Sequence, residues 1–506
     1  MTHFHAPLTP GAPTARRAAR HPAPRPMARP ASLALVVAIA ALLSACSVTP
    51  PYQQPDMAVP TSFKEAGATW APAAPADALD RGPWWELFQD AELNRLAEQV
   101  QLSNQNIAAA VAAYAQAQAV VRQQRAGLLP SVSLSGGATR TGGEGATRSG
   151  LSTQASLGVD WAPDLWGRLQ SGVNSAQASA QASEADLASA RLSAVGTLAS
   201  AYFQLREADA EIELLQATVE GYERSLQIAR NRYGAGVVAQ TDVLQAQTQL
   251  ANARADLATV RQNRARFEHA LAVLTGRAPA DFSLPRAQWV AAVPEVPLGV
   301  PSTLLQRRPD IAAAERAVAA ANAQIGIQRA GYFPNLSLGA SVGSGGSSVA
   351  DLFKASTLVW SLGLSVAQTI FDAGATAARV EEAQAAREGR VAVYRQTVLT
   401  AFQTVEDQLT VLRTLQEQEP LRREAVAAAE RTAQQLLNRY REGQVSYTEV
   451  VTAQVSALSA QRALLQLQVN RQLAVVTLVQ ALGGGWQAPW QVPQQTTGQT
   501  LPQARS

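Results

Sequence analysis

The chain has 506 residues, a formal net charge of +3, 6% aromatic residues and a single cysteine, Cys46. One cysteine rules out an intrachain disulfide, and few aromatics favour long helices packed through small side chains over a broad aromatic core. The positive charge belongs to residues 1–45, which hold five arginines and no acid; the slightly acidic remainder gives no reason to expect nucleic-acid binding.

Leu33–Leu43 is a short apolar run preceded by Arg29 and ended by Ser44-Ala45-Cys46, the pattern of a secretory signal too short to span a bilayer permanently. Met27-Ala28-Arg29-Pro30 offers a compact positive start, so Met27 competes with Met1 as the first residue. Leu43-Ser44-Ala45-Cys46 looks like a bacterial lipobox, whose cysteine is acylated after cleavage. An ordinary signal with an incidental cysteine is the alternative, but the only cysteine of the chain stands at the cleavage point. Ser47 in place of Asp points to sorting to the outer membrane.

Residues 46–90 are rich in Pro and Ala and read as an extended, lipid-anchored arm. Trp84, Trp85 and Phe88 are expected to pack that arm on the body, with Asp90 as N-cap of the first helix. Residues 91–127 then form a helical segment without proline, a rod of roughly 55 Å. It stops at Gly127-Leu128-Leu129-Pro130, because glycine closes a helix easily and proline forbids its continuation. Val132 and Leu134 alternate with serines beyond it, and Gly136–Gly150 reads as a glycine-rich loop. On the return, Ala155, Leu157, Val159 and Trp161 face opposite to Gln154, Ser156, Gly158 and Asp160. Apolar residues outward and small polar ones inward suit a barrel strand around water. Gly167–Tyr233 contains no proline and predicts a rod of roughly 100 Å. A turn at Gly234-Ala235-Gly236 leads to a last helix over 241–275.

The pattern then repeats. Gln124-Arg125-Ala126-Gly127 returns 204 positions later as Gln328-Arg329-Ala330-Gly331, and Asn231-Arg232-Tyr233-x-x-Gly236 returns after 207 as Asn438-Arg439-Tyr440-x-x-Gly443. A fixed internal period decides architecture before any single motif does. The second copy predicts strands from Leu336 to Val342 and Trp360 to Val366, a loop over 343–357, a long rod from Gly374 to Tyr440 bent or irregular at Pro420, and a final helix over 448–482. The chain thus divides into a signal segment (1–45), an arm (46–90), a first repeat (91–276), a proline-rich connector (277–301), a second repeat (302–486) and a flexible tail (487–506). Two short helices end to end match one long helix, and no membrane is as thick as these rods, so they stand in aqueous space. The fold class is α+β: long helices forming a barrel continuous with a β-barrel of four strands per chain.

Leu304-Leu305-Gln306-Arg307-Arg308-Pro309-Asp310-Ile311, Arg329-Ala330-Gly331-Tyr332-Phe333-Pro334, Asp164-Leu165-Trp166-Gly167-Arg168 and Ala481-Leu482-Gly483-Gly484-Gly485-Trp486 together resemble the TolC-like outer-membrane efflux factors, in their lipoprotein branch. The resemblance spans Trp84 to Trp486. It implies a homotrimer with twelve strands, acting as the passive exit duct of a tripartite pump beside a periplasmic adaptor and an inner-membrane efflux transporter. Four strands cannot close a barrel, so association is required in any case; the number three comes from the family. A structural lipoprotein with coiled-coil rods is the alternative, though it has no need of two alternating hairpins.

No cofactor is expected beyond the covalent lipid on Cys46, and no catalytic or metal site, since His269 is the sole histidine past the leader. By resemblance, Thr241 and Asp242 in the first tip and Tyr440, Glu449 and Thr452 in the second line a periplasmic constriction. In a trimer Asp242 and Glu449 form rings of three acids that favour cations. The competing reading makes Thr241 and Thr448 N-caps, with the two acids steadying the first turns. Val445 stands where family members often carry a charged gate residue.

Overall fold

In the computed structural model, residues 48–66, 83–143, 150–294, 296 and 307–485 are described; the lipobox with Cys46, and the tail, lie outside them. The first repeat contributes α1 (Ala91–Ser103), α2 (Gln105–Ala126), β1 (Ser131–Thr141), β2 (Gly150–Trp161), α3 (Arg168–Gly234) and α4 (Gln240–Leu274). The second contributes α5 (Pro309–Arg329), β3 (Asn335–Gly346), β4 (Leu358–Ala367), α6 (Ala375–Arg441) and α7 (Tyr447–Ala481). The two long rods, α3 and α6, have 67 residues each, roughly 100 Å of helix. None of the described helices is long and apolar enough to cross a membrane.

The single helix expected over 91–127 is two helices. Asn104 breaks it in an extended conformation, and its side-chain oxygen accepts the N–H groups of Asn106 and Ile107 as N-cap of α2. Its amide also donates to the Leu274 carbonyl at 2.9 Å. The break is therefore where the end of α4 meets the start of α2. Gly276 makes this junction possible: at φ 72° it lies so close to Ser103 that an added Cβ would sit 2.4 Å from that carbonyl. The second repeat builds the same joint. Gly483, at φ 93°, would place a Cβ 2.2 Å from the Arg307 carbonyl, and Arg308 donates to the Ala481 carbonyl at 3.0 Å. Short helices thus abut end to end while α3 packs along α2, α4, α5 and α7, and α6 along α5 and α7. Helix α6 runs through Pro420 without a break.

Asp90 caps α1 through Glu92 and Leu93 and also accepts the Tyr202 hydroxyl at 2.7 Å. Trp84, Trp85 and Phe88 are buried with Leu93, Leu96, Leu198 and Phe203 in the main core cluster. The connector is pinned to the rods by buried charge. Asp209 pairs with Arg206 at 3.2 Å and Arg264 at 2.6 Å, and the two guanidiniums donate to the Pro285 and Leu284 carbonyls.

The four strands form one antiparallel sheet in the order β1-β2-β3-β4. Both hairpins reach further than the sequence suggests: β1 continues through the glycines to Thr141, and β3 runs to Gly346 before two short 3-10 turns. Glycine with polar alternation still fits a ladder whose hydrogen bonds come from the backbone. Register aligns the alternation across all four strands. Leu134, Leu157, Val342 and Trp360 make one cross-strand row, and Val132, Val159, Ala340 and Leu362 the next; Ser133, Gly158, Ser341 and Ser361 form a row of the other face. The apolar face is bare. Leu134 is 80% exposed, and Trp360 and Leu362 are 74% exposed each.

Candidate functional site

Helices α3 and α4 turn at Ala235–Ala239, and α6 and α7 at Glu442–Ser446, so the two tips come from equivalent points of the two repeats. Their glycines, Gly236 at φ 73° and Gly443 at φ 81°, take the left-handed conformation that each reversal needs. The residues around them are nearly the same, yet the packing is not. Tyr440 is 1% exposed while its counterpart Tyr233 is 47% exposed.

Tyr440 is the hub. Its hydroxyl donates to Asp242 at 3.0 Å, tying α6 to the first turn of α4. The Arg232 guanidinium stacks 4.7 Å from its ring centre and donates to its carbonyl, tying α6 to the end of α3. Tyr447, the first residue of α7, packs at 5.1 Å between ring centres. Tyr222, Leu226, Ala229, Ala246, Leu250 and Val450 complete the apolar surround. Burial, then the Asp242 carboxylate, raise the Tyr440 phenol well above its ordinary range. Burial pushes Tyr447 up to about 12. Both rings are therefore neutral, and Tyr440 can donate to Asp242 at any physiological pH. One more link joins the halves: Thr448 donates to Gln245 at 3.3 Å.

The paired acids do different jobs. Glu449 closes a capping box with Ser446, accepting its N–H and its hydroxyl at 3.1 Å each. Asp242 occupies the same place in α4 but spends a carboxylate oxygen on Tyr440. The N-caps are Ala239 and Ser446, so Thr241 and Thr448 are not caps; each stands two positions past the cap, inside its helix. Glu449 and Thr452 line one groove of about 640 Å³ between α6 and α7, with Thr432, Leu436 and Ser446. The structure thus brings Tyr440 to Asp242 and Glu449 to Thr452, and leaves Thr241 exposed outside both groups. Arg232 and Tyr447 were not singled out from sequence. The recurrence of Arg232 as Arg439 was the available signal, and only Arg232 finds a tyrosine to cover.

The outer membrane efflux protein family matches residues 96–277 and 300–484, one segment in each half. The chain belongs to this family. It is 33% identical over 470 residues to the toluene efflux pump outer membrane protein TtgC of Pseudomonas putida, covering 90% of this chain and 96% of that one. It is 30% identical over 456 residues to the cation efflux system protein CusC of Escherichia coli, covering 89% and 98%. Its fold is similar to the outer-membrane channel OprN, with a TM-score of 0.79, 30% identity, and coverage of 87% of this chain and all of that one. The protein is an outer-membrane channel of an efflux pump, with its helices on the periplasmic side.

Proposed function

We propose that three copies of this chain close a twelve-stranded barrel and a helical barrel beneath it, forming a passive exit duct. The duct is driven by an inner-membrane transporter through a periplasmic adaptor. The observation that carries this reading is the sheet. Its four strands end in two open edges, β1 and β4, and it presents aligned apolar rows outward and serine and glycine rows on the other face. Four strands cannot close and at least eight are needed, while a bare apolar face wants lipid. Small polar residues lining the duct leave cargo choice largely to the transporter.

Cys46 carries the lipid in this reading. Support comes from where the arm emerges: Thr49 hydrogen-bonds Ser171 at 2.6 Å and Pro50 accepts from Asn322 at 2.9 Å. Ser171 is three residues into α3, whose start faces the sheet, so the described arm begins about one helical turn below the barrel. From there it runs along the rods, where the N–H groups of Lys64 and Glu65 reach the Glu406 carboxylate at 2.7 and 2.9 Å.

The tip is the gate. Tyr440, through Asp242 and Arg232, fastens the α6–α7 turn to the α3–α4 turn, and widening the mouth requires these bonds to part. Glu449 holds the start of α7, and three copies of Asp242 and Glu449 give the mouth its preference for cations. Single-channel conductance of the purified protein in planar bilayers tests this, with Asp242→Ala and Glu449→Ala measured separately and native mass spectrometry giving the copy number. Rare, small openings that grow in Asp242→Ala support the gate. A trimer that conducts identically in both variants removes the gate and leaves the duct. Inserted protein that never conducts removes the duct.

A further inference from the structure

A cavity of about 520 Å³ opens where the sheet meets the rods, between the start of β3, the end of α5 and the first turns of α3 and α6. Two arginines line it, Arg168 and Arg379, and neither has a hydrogen-bond or ion-pair partner among the described residues. The acids nearby are already engaged. Asp164, in the cavity wall, accepts the Gln170 N–H at 2.7 Å, and Asp372 accepts the N–H groups of Gly374 and Thr376 and the Thr376 hydroxyl. The wall therefore holds two cations against one committed carboxylate. Trp166 forms a fixed side: its indole donates to the Pro334 carbonyl at 2.7 Å and stacks on Phe333 at 4.9 Å.

The cavity also lies at a boundary. Leu336, in its wall, begins the apolar rows of β3. Ile370 and Phe371, just past the end of β4, are each 87% exposed. Apolar knobs, an anchored indole and unpaired arginines at one level are what a bilayer's headgroup zone selects.

We infer that this cavity binds the headgroup of an anionic phospholipid from the periplasmic leaflet. Arg168 and Arg379 take the phosphate diester by charge-assisted hydrogen bonds, Trp166 flanks the glycerol, and the acyl chains lie along the apolar rows. The inference rests on the sheet spanning the membrane.

The test uses the full protein in nanodiscs of phosphatidylethanolamine with one quarter phosphatidylglycerol. These are transferred to mild detergent, and retained lipid is counted by native mass spectrometry. The wild type should keep about one phosphatidylglycerol per chain. Arg168→Gln/Arg379→Gln should retain it about thirty-fold less tightly, on the order expected for two phosphate contacts. Arg224→Gln, on the exposed rod surface, should match the wild type. Equal retention in the double variant overturns the site, as does equal retention of phosphatidylcholine in place of phosphatidylglycerol. Displacement by millimolar inorganic phosphate with no lipid retained reassigns the arginines to free anions and likewise overturns it. Protein that fails to enter nanodiscs at all refutes the membrane-spanning sheet, a failure distinct from loss of the lipid.

Discussion

Replacing Tyr440 by Phe removes one oxygen and leaves the ring, so its stacking with Arg232 and its packing on Tyr447 persist. What disappears is the 3.0 Å bond to Asp242. A hydrogen bond to a charged group contributes about 1.5–3 kcal/mol. Asp242 is only half-buried, so water partly replaces the hydroxyl and the lower end applies, about 1.5 kcal/mol. If that bond exists only while the tip is closed, the open-to-closed ratio rises about tenfold. Open probability in planar bilayers reads this directly. The repeat supplies its own control: Tyr233→Phe alters an exposed ring with nothing to release and should leave gating unchanged. Tyr447→Phe should be neutral or mildly stabilising, because that hydroxyl is buried without a partner among the described residues. Folded, inserted Tyr440→Phe with wild-type openings, or equal effects at Tyr233 and Tyr440, would refute the reasoning.

Asp209→Ala strands the buried Arg206 guanidinium and leaves the part-buried Arg264 with Glu268 as its only acid among the described residues. It should cost about 3 kcal/mol, read as a lower melting temperature and faster trypsin cleavage in the connector at exposed Arg286. Glu207 is pushed up to about 7 by burial, with Glu211 adding to it, from an ordinary value of 4.5. The folded state binds that proton more tightly, so the stabilisation is complete below pH 4.5 and is lost as pH rises through 7. Glu207→Gln should therefore raise the melting temperature at pH 8 and change it little at pH 4.5; a uniform shift would count against the buried carboxyl. Phe63 is 4% exposed against Val405, Leu409 and Leu478, and Phe63→Ala should cost about 3–5 kcal/mol of arm docking, seen as rapid tryptic cleavage at Lys64 with the rods intact.

Most of the architecture was legible because its signals are local. A glycine and proline end each ascending helix within a residue or two of where the strand begins. A period of two sets the sheet, and 67 residues without an early proline already make a rod. Periods, caps and breakers act over a few residues, so the sequence carries them in plain view. The family's defining stretches lie at these same joints, which is why resemblance and periodicity point to one fold.

Other features depended on what each segment meets. Asn104 reads as an ordinary helical residue until the end of α4 arrives beside it and takes its amide. Asp242 and Glu449 have the same local setting, yet one faces a tyrosine hydroxyl from another helix and the other closes its own cap. Tyr233 and Tyr440 share the motif Asn-Arg-Tyr-x-x-Gly and differ 47% to 1% in exposure. The sequence by itself determined two near-identical units and the elements within them. Tertiary structure alone decided which copy of each residue is buried, because two unlike surroundings close on one repeated pattern and burial is a property of the neighbour as much as of the residue.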